Sequence, residues 1–358
     1  MAFLEYKNVR IAGIAAGVPK HVIKNVGKQV QSNDYDAAAF VEQTGVAERH
    51  VTGTLTTSDL GYLAAERLIA DLNWKKEEIE AIIFVSQTAD YIYPASACIL
   101  QERLHLSKEC YAADVALGCS GWVYGLSYVA SLLGSGTIKK ALLIAGDAKG
   151  RFKSLKSSPL FGSASTCTAV EYKRNAKGLQ FHFGTDGSGY DAIIIPDGGS
   201  RNRVTGKSFR KYVNEDGIVV NRLQGQMKGM DVFSFGISTA PKSIKKLSEH
   251  FGFDYFDKDY YVFHQANMKM NNTIVKKLKL DPAKVPSCMY HFGNTSSASI
   301  PLTIVAELRG KIENVHTKFL CCGFGVGLSW GTVAFETDKI VVSELVLAEE
   351  QKGESQWV

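Results

Sequence analysis

The sequence predicts an α/β fold built from two similar halves, and three observations support that prediction. Short apolar runs of strand length alternate with longer stretches of helical periodicity. The apolar runs are nearly free of polar residues, as buried strands are. The same succession of strand, gap and helix occurs twice along the 358 residues.

Taken in order, residues 81–86 (AIIFVS) and 141–145 (ALLIA) read as buried strands, as do 260–263 and 319–322. Residues 59–71 place Leu60, Leu63, Ala64, Leu68 and Ile69 at helical spacing. Residues 120–133 do the same with Trp122, Val123, Leu126, Val129, Ala130 and Leu133, and stop at Gly134-Ser135-Gly136. A third helix is expected over 271–278, with Lys276 and Lys277 near its end. The stretches 149–158 and 198–215 are polar and basic and read as loops. The tail, 336–358, holds a strand-like run, IVVSELVL, before a charged end.

The repeat is one of spacing and not of identity. A first strand ends at Ser86-Gln87-Thr88, and Cys119 follows 32 residues after Gln87. A later strand ends at His264-Gln265-Ala266, and Asn294 follows 29 residues after Gln265. Each is succeeded by a helical run, another apolar strand and a glycine-bearing turn. The expected division is 1–177 for the half carrying Cys119 and 178–358 for the half carrying His264 and Asn294. Two such halves packed together bring equivalent strand ends to one crevice, where α/β folds bind ligands.

Composition narrows the function. Apolar residues make up 45% and charged residues 22%, ordinary for a soluble globular protein. A net charge of +5 without a dense basic patch argues against nucleic acid as partner and suits an anionic substrate or carrier protein. No run approaches 18 apolar residues, so no membrane span is expected, and the N-terminus lacks a signal-peptide layout. A cytoplasmic protein is the expectation. Seven cysteines without a C-x-x-C pair predict neither a disulfide framework nor a metal site.

Four segments carry candidate chemistry. In 112–121 (AADVALGCSG) a strand runs through Gly118-Cys119-Ser120-Gly121 into a helix. A thiol there sits at the positive helix end, where its thiolate is favoured. Free N–H groups at such a turn can bind an oxyanion. The plainer reading is a buried cysteine beside a turn. His264, in 262–267 (VFHQAN), ends an apolar strand and is either catalytic or a satisfied core-edge histidine. Asn294, in 291–299 (HFGNTSSAS), reads as a helix cap or as a side-chain donor. The glycine-rich 323–331 (GFGVGLSWG) lacks the spacing of a nucleotide loop.

Together these segments resemble the β-ketoacyl-acyl-carrier-protein synthase III family, whose fold is the thiolase fold. The matching motifs are TGVAERH at 44–50, DVALGCSGW around Cys119, VFHQAN, FGNTSSASIP and GFGVGLSWG, in the family's order over 8–336. The resemblance implies two duplicated halves in an αβαβα layering. It implies Cys119 as acyl-carrying nucleophile, His264 and Asn294 as its partners, and backbone N–H groups of Cys119 and Val326 as oxyanion hole. Tyr93, Phe161, Met227 and Phe324 are the acyl-pocket candidates it implies, Tyr93 reaching into a partner subunit of a homodimer. Lys269, Lys276 and Lys277 would share one helix face and receive an acyl carrier protein. No permanently bound cofactor is implied. Acyl-coenzyme A or acyl-carrier protein and malonyl-acyl-carrier protein would be substrates in fatty-acid initiation or a related lipid pathway.

Departures from the family bear on substrate. Ala39 and Gln43 stand where a tryptophan and an arginine are common, and losing an aromatic stack costs adenine binding about 1 kcal/mol. The basic residues Lys149, Arg151, Lys153 and Lys156 either compensate or form a plain solvated loop. Gly162-Ser163-Ala164-Ser165 replaces a Gly-Asp-Gly-Ala run, and Val326 replaces a usual glycine, which suits a donor only at negative φ. Two other functions stay open on sequence: an acyltransferase forming an ester or amide, and a non-catalytic partner subunit of a condensing enzyme.

Overall fold

The computed structural model describes residues 2–26, 37–148, 159–214 and 219–350. The basic residues Lys149, Arg151, Lys153 and Lys156 lie outside them. The chain opens with β1 (Ala2–Tyr6), β2 (Val9–Pro19), β3 (Val22–Lys24), α1 (Ala37–Thr44), β4 (Glu48–His50) and α2 (Thr57–Asp71). It continues with β5 (Ala81–Val85), α3 (Ser96–Arg103), β6 (Tyr111–Val115), α4 (Gly121–Gly134), β7 (Lys140–Asp147) and β8 (Ala164–Tyr172). Helix α2 starts two residues before its apolar pattern, because Thr56 and Asp59 close a capping box.

The second run holds β9 (Leu179–Thr185), the short strands β10 (Ile193–Ile194), β11 (Tyr212–Val213), β12 (Val219–Val220) and β13 (Gln226–Met227), and α5 (Gly229–Phe251). Then come β14 (Tyr260–Phe263), α6 (Met268–Leu278), α7 (Met289–Phe292), α8 (Ser299–Leu308), β15 (Thr317–Gly325) and β16 (Ser329–Thr337). Two short strands, β17 (Val341–Val342) and β18 (Val346–Ala348), close it.

Two sheets organise these elements. One has the order β17-β2-β8-β7-β5-β6, and the other β1-β9-β16-β15-β14. Within the first, β2/β8 and β8/β7 are antiparallel and β7/β5 parallel. Within the second, β9/β16 and β16/β15 are antiparallel and β15/β14 parallel. The same order and the same directions recur, so the duplication read from spacing is a duplication of topology. The edges cross over: β1 joins the later sheet, and β17 and β18 join the earlier one beside β2.

Alternation along the strands creates the layers. Ile83, Val85, Ala141 and Leu143 of one sheet and Val262, Phe319, Cys321 and Val333 of the other face a shared core. Helices α4 and α8 fill it with Trp122, Leu126, Val129, Ile300, Ile304 and Leu308. The opposite face of the first sheet, with Ile82, Phe84 and Leu142, packs on Leu68 of α2 and Leu100 of α3. That of the second, with Tyr261, Phe263 and Leu320, packs on Ile244 of α5 and Ile274 of α6. The result is αβαβα, and it explains why the strands read as unbroken apolar runs.

One loop reading needs correction, and the strand-like tail is refined. The stretch 198–215, expected to be loop, includes a 3-10 turn, Gly206–Phe209, and β11. A buried carboxylate orders it: Asp197 accepts from Ser208 Oγ at 2.8 Å and from Arg222 Nε at 3.0 Å. The tail run IVVSELVL is an edge strand broken in the middle. Val341 pairs with Gly13 but Val346 with Gly17, so the tail spends one extra residue between the two strands.

Candidate active site

Four of the seven cysteines settle by burial. Cys167, Cys288, Cys321 and Cys322 are fully enclosed, and loss of solvent raises each thiol, Cys288 and Cys322 to about 12. Cys110, half-buried and near Glu80, is pushed up to about 11. These are inert thiols acting as small apolar groups.

Cys119 stands differently. It is half-exposed and lies between β6 and α4, directly before the helix cap Ser120. The turn is tight: the Gly121 N–H donates to the Gly118 carbonyl at 2.7 Å. The thiol rests against the end of β15. A methyl group on Gly325 would lie 2.7 Å from the Cys119 sulfur, and one on Gly323 would lie 3.0 Å from its carbonyl oxygen. Glycine at alternate positions therefore lets the strand of one half seat the thiol of the other. The turn beyond is tied to the helix start: Ser329 Oγ donates to the Val326 carbonyl at 3.0 Å and lies 2.7 Å from Ser120 Oγ. Val326 is not among the residues of positive φ, so the replacement of glycine there is unstrained.

The same strand end holds His264. The His264 N–H donates to the Cys322 carbonyl at 2.9 Å, and the Phe324 ring stands edge-on to the imidazole at 5.7 Å. His264 is 2% exposed. Its Nδ1 lies 2.7 Å from Ser299 Oγ at the first residue of α8.

Asn294 completes the group. Its backbone is clamped to the chain before β8: its N–H donates to the Leu160 carbonyl at 2.8 Å, and its carbonyl accepts from the Gly162 N–H at 3.1 Å. Its Oδ1 accepts from the Ser296 N–H at 2.9 Å, which identifies the amide's oxygen end. Its Nδ2 reaches the Ala266 carbonyl at a long 3.4 Å, two residues beyond His264. The cap reading is half right. Asn294 does close a turn, but α8 begins at Ser299, after a 3-10 turn over Ser296–Ala298.

The other candidates are more scattered. Phe161 is half-buried and bridges to Asn294. Phe324 is buried in the cluster around α5 and α6. Tyr93 is 85% exposed in a loop with Tyr91 and Ile92. Met227 lies on β13 and lines a cavity with Tyr212, Val213 and Met230. Lys269, Lys276 and Lys277 are exposed along α6. Ala39 and Gln43 lie on α1.

Sequence reasoning overlooked Ser299 and Asp147. Asp147 is fully buried and its Oδ1 accepts from the Gln87 N–H at 2.8 Å and from Ser86 Oγ at 3.0 Å, fixing the strand end that faces the Cys119 turn. Asp147 is the last residue of β7, where the sequence marks only a glycine-bearing strand end. Among the described residues no group of three or more His, Cys, Asp or Glu is placed to hold a metal ion. No helix among them is long and apolar enough to cross a membrane.

Comparison with known proteins decides the family. The β-ketoacyl-acyl-carrier-protein synthase III of Rhodopirellula baltica is 31% identical over 92% of this chain and 98% of its own length. The chain belongs to the 3-oxoacyl-acyl-carrier-protein synthase III family. Residues 113–187 match that family's description and residues 249–337 its C-terminal segment. The Desulfitobacterium hafniense synthase III is 30% identical over 93% of this chain and 98% of its own. The crystal structure of a Burkholderia xenovorans 3-oxoacyl-acyl-carrier-protein synthase superposes with a TM-score of 0.88 at 32% identity, covering 97% of this chain and 99% of the other. The fold is thus the thiolase fold of these acyltransferases, whose names give acyl-carrier protein as the carrier of their substrate.

Proposed function

We propose that this synthase III-family acyltransferase joins an acyl group held on Cys119 to a malonyl unit by decarboxylative condensation. The observation that carries this reading is the orientation of Asn294. With Oδ1 engaged by the Ser296 N–H, the amide presents Nδ2, a neutral donor, beside His264. Neutral donors stabilise charge forming on a thioester oxygen. A carboxylate in that place would repel an enolate.

In the first step the Cys119 thiolate attacks an acyl thioester. A carbon–sulfur bond to Cys119 forms, the one to the carrier breaks, and the carrier thiolate leaves and takes a proton. Malonyl-acyl-carrier protein then enters. Its bond to the terminal carboxylate breaks, carbon dioxide departs, and the electron pair moves toward the thioester oxygen, which accepts from His264 and Asn294. The enolate carbon attacks the acyl-Cys119 carbonyl, whose oxyanion is held by the N–H groups of Cys119 and Val326. Collapse returns the Cys119 thiolate and releases the β-ketoacyl product.

The finer assignments belong to the same reading. Tyr93, Phe161, Met227 and Phe324 bound the acyl chain. The run Tyr91, Ile92 and Tyr93, exposed by 55%, 96% and 85%, is apolar surface that a second subunit of a homodimer covers. Lys269, Lys276 and Lys277 receive the acidic acyl carrier protein. The halves 1–177 and 178–358 divide the work, and the setting is fatty-acid initiation or a related lipid pathway in the cytoplasm. The test is carboxyl-labelled malonyl-carrier thioester given to the acyl-loaded protein. One labelled carbon dioxide per β-keto product is expected. An ester or amide formed without carbon dioxide release contradicts the reading.

A further inference from the structure

The hydroxyl of Ser299 lies at the first residue of α8, fully buried, 2.7 Å from His264 Nδ1. Either atom of that pair can in principle supply the hydrogen. Hydrogen-bond accounting separates the two arrangements. His264 Nδ1 is the partner found for the Ser299 hydroxyl. If Nδ1 carried the hydrogen, Ser299 would accept it, and its own buried O–H would have no acceptor among the described residues. A buried donor without an acceptor is costly, and the neighbouring hydroxyls of Thr295, Ser296 and Ser297, buried without a partner among the described residues, already carry that cost. If Ser299 donates instead, the one bond satisfies both its hydroxyl hydrogen and the Nδ1 lone pair. The imidazole hydrogen must then sit on Nε2.

We infer that Ser299 is a positioning residue that locks His264 as the Nε2–H tautomer, making it a hydrogen-bond donor and not a general base. This rests on, and deepens, the reading of His264 as a donor to the thioester oxygen. The backbone adds to the constraint. The His264 N–H donates to Cys322, and the His264 carbonyl accepts from Asn271 Nδ2 at 3.2 Å, so the residue is fixed at both ends. Phe324 limits rotation of the ring. The device matches that on Asn294. There a backbone N–H occupies the acceptor atom and leaves Nδ2 as the donor, with one long bond to the Ala266 carbonyl; here a serine hydroxyl occupies Nδ1. A carboxylate at position 299 would reverse the outcome, pulling the hydrogen to Nδ1 and freeing Nε2 as a base.

Nitrogen-15 NMR of the whole protein with labelled histidine, at neutral pH, reads the tautomer whatever reaction the protein catalyses. His264→Gln assigns the resonance pair by its disappearance. Nε2 protonated and Nδ1 unprotonated is the expected result. A proton on Nδ1, alone or with one on Nε2, overturns the inference. A kinetic arm then separates positioning from folding. Ser299→Ala should slow malonyl decarboxylation about 10²-fold, the scale of losing one aimed donor, while loading of Cys119 stays near the wild-type rate. Ser299→Thr, which keeps the hydroxyl, should restore most of it. Unchanged decarboxylation in Ser299→Ala overturns the positioning role. If the tautomer is Nε2–H but no malonyl substrate is decarboxylated by the wild type, the condensation reading fails and the tautomer assignment stands.

Discussion

The two halves share a topology and differ in what they place at equivalent points. In the first, β6 leads into Gly118-Cys119-Ser120-Gly121 and α4 starts at once. In the second, the segment before Asn294 is the short helix α7 and a single bridge to Phe161, and a 3-10 turn precedes α8. The first arrangement aims a helix N-terminus at a thiol, which favours a nucleophilic anion. The second spends its backbone groups on orienting side-chain donors. In the proposed function, the scaffold position used twice carries the nucleophile Cys119 in one half and the donor Asn294 in the other, with His264 at the neighbouring strand end.

The largest effect expected from breaking this division comes from Cys119→Ala. Product formation should fall on the order of 10⁴-fold or more and the acyl adduct should vanish from the mass spectrum, while decarboxylation of the malonyl substrate by the second half persists. Loss of both activities together would mean that the halves do not divide the work.

Asn294→Asp attacks the other side. It keeps the shape and the acceptor for the Ser296 N–H but replaces the Nδ2 donor with a carboxylate oxygen. Decarboxylation should drop about 10²- to 10³-fold with Cys119 still loaded by acyl donor in a single-turnover assay.

Gly325→Ala tests the contact between the halves. The added methyl would lie 2.5 Å from Cys119 Cβ, closer than packing permits. Denaturant titration should find a loss of about 1–3 kcal/mol, and thiol acylation should slow as Cys119 is displaced. A variant as stable and as readily acylated as the wild type would show that the thiol is not seated on β15.

The smallest effect concerns the outer layers. The first half packs α2 and α3 on an apolar sheet face. The second buries a polar chain there, with His182 Nδ1 at 2.8 Å from Ser243 Oγ, which lies 2.6 Å from Thr332 Oγ1. Burial, helped by the charges of Lys246, the N-terminus and His250, lowers His182 to about 4. Unfolded, it binds a proton near pH 6.5. Between pH 6.5 and 4 the unfolded state therefore holds the extra proton, and stability falls as pH falls, by no more than about 1.4 kcal/mol per unit. Urea titrations of the wild type and His182→Gln at pH 7 and pH 5 should differ by this slope, steeper in the wild type.

Much of this was legible in the sequence because burial on both faces leaves a local mark. The runs 141–145, 260–263 and 319–322 fall within strands, and 81–86 overruns β5 by one residue. The spacing from Gln87 to Cys119 and from Gln265 to Asn294 foretold the repeat. Edge exchange was not legible, since β1, β17 and β18 pair with strands far away in the chain. The same holds for Ser299, one hydroxyl among several after Asn294, whose distinction is a contact 35 residues back along the chain. Gly323 and Gly325 looked like a weak loop signal because their reason lies across the interface between halves, at Cys119.

The most direct test of the shared labour is the mass of the intact protein before and after a chase. Exposure to a mixture of acyl thioesters should add one acyl group, mapped by peptide mass to Cys119. Malonyl-acyl-carrier protein should then remove it, with carbon dioxide and a β-ketoacyl-carrier product appearing in equal amounts. An acyl group on another residue, or one that leaves Cys119 to water or an alcohol without carbon dioxide, would contradict the account.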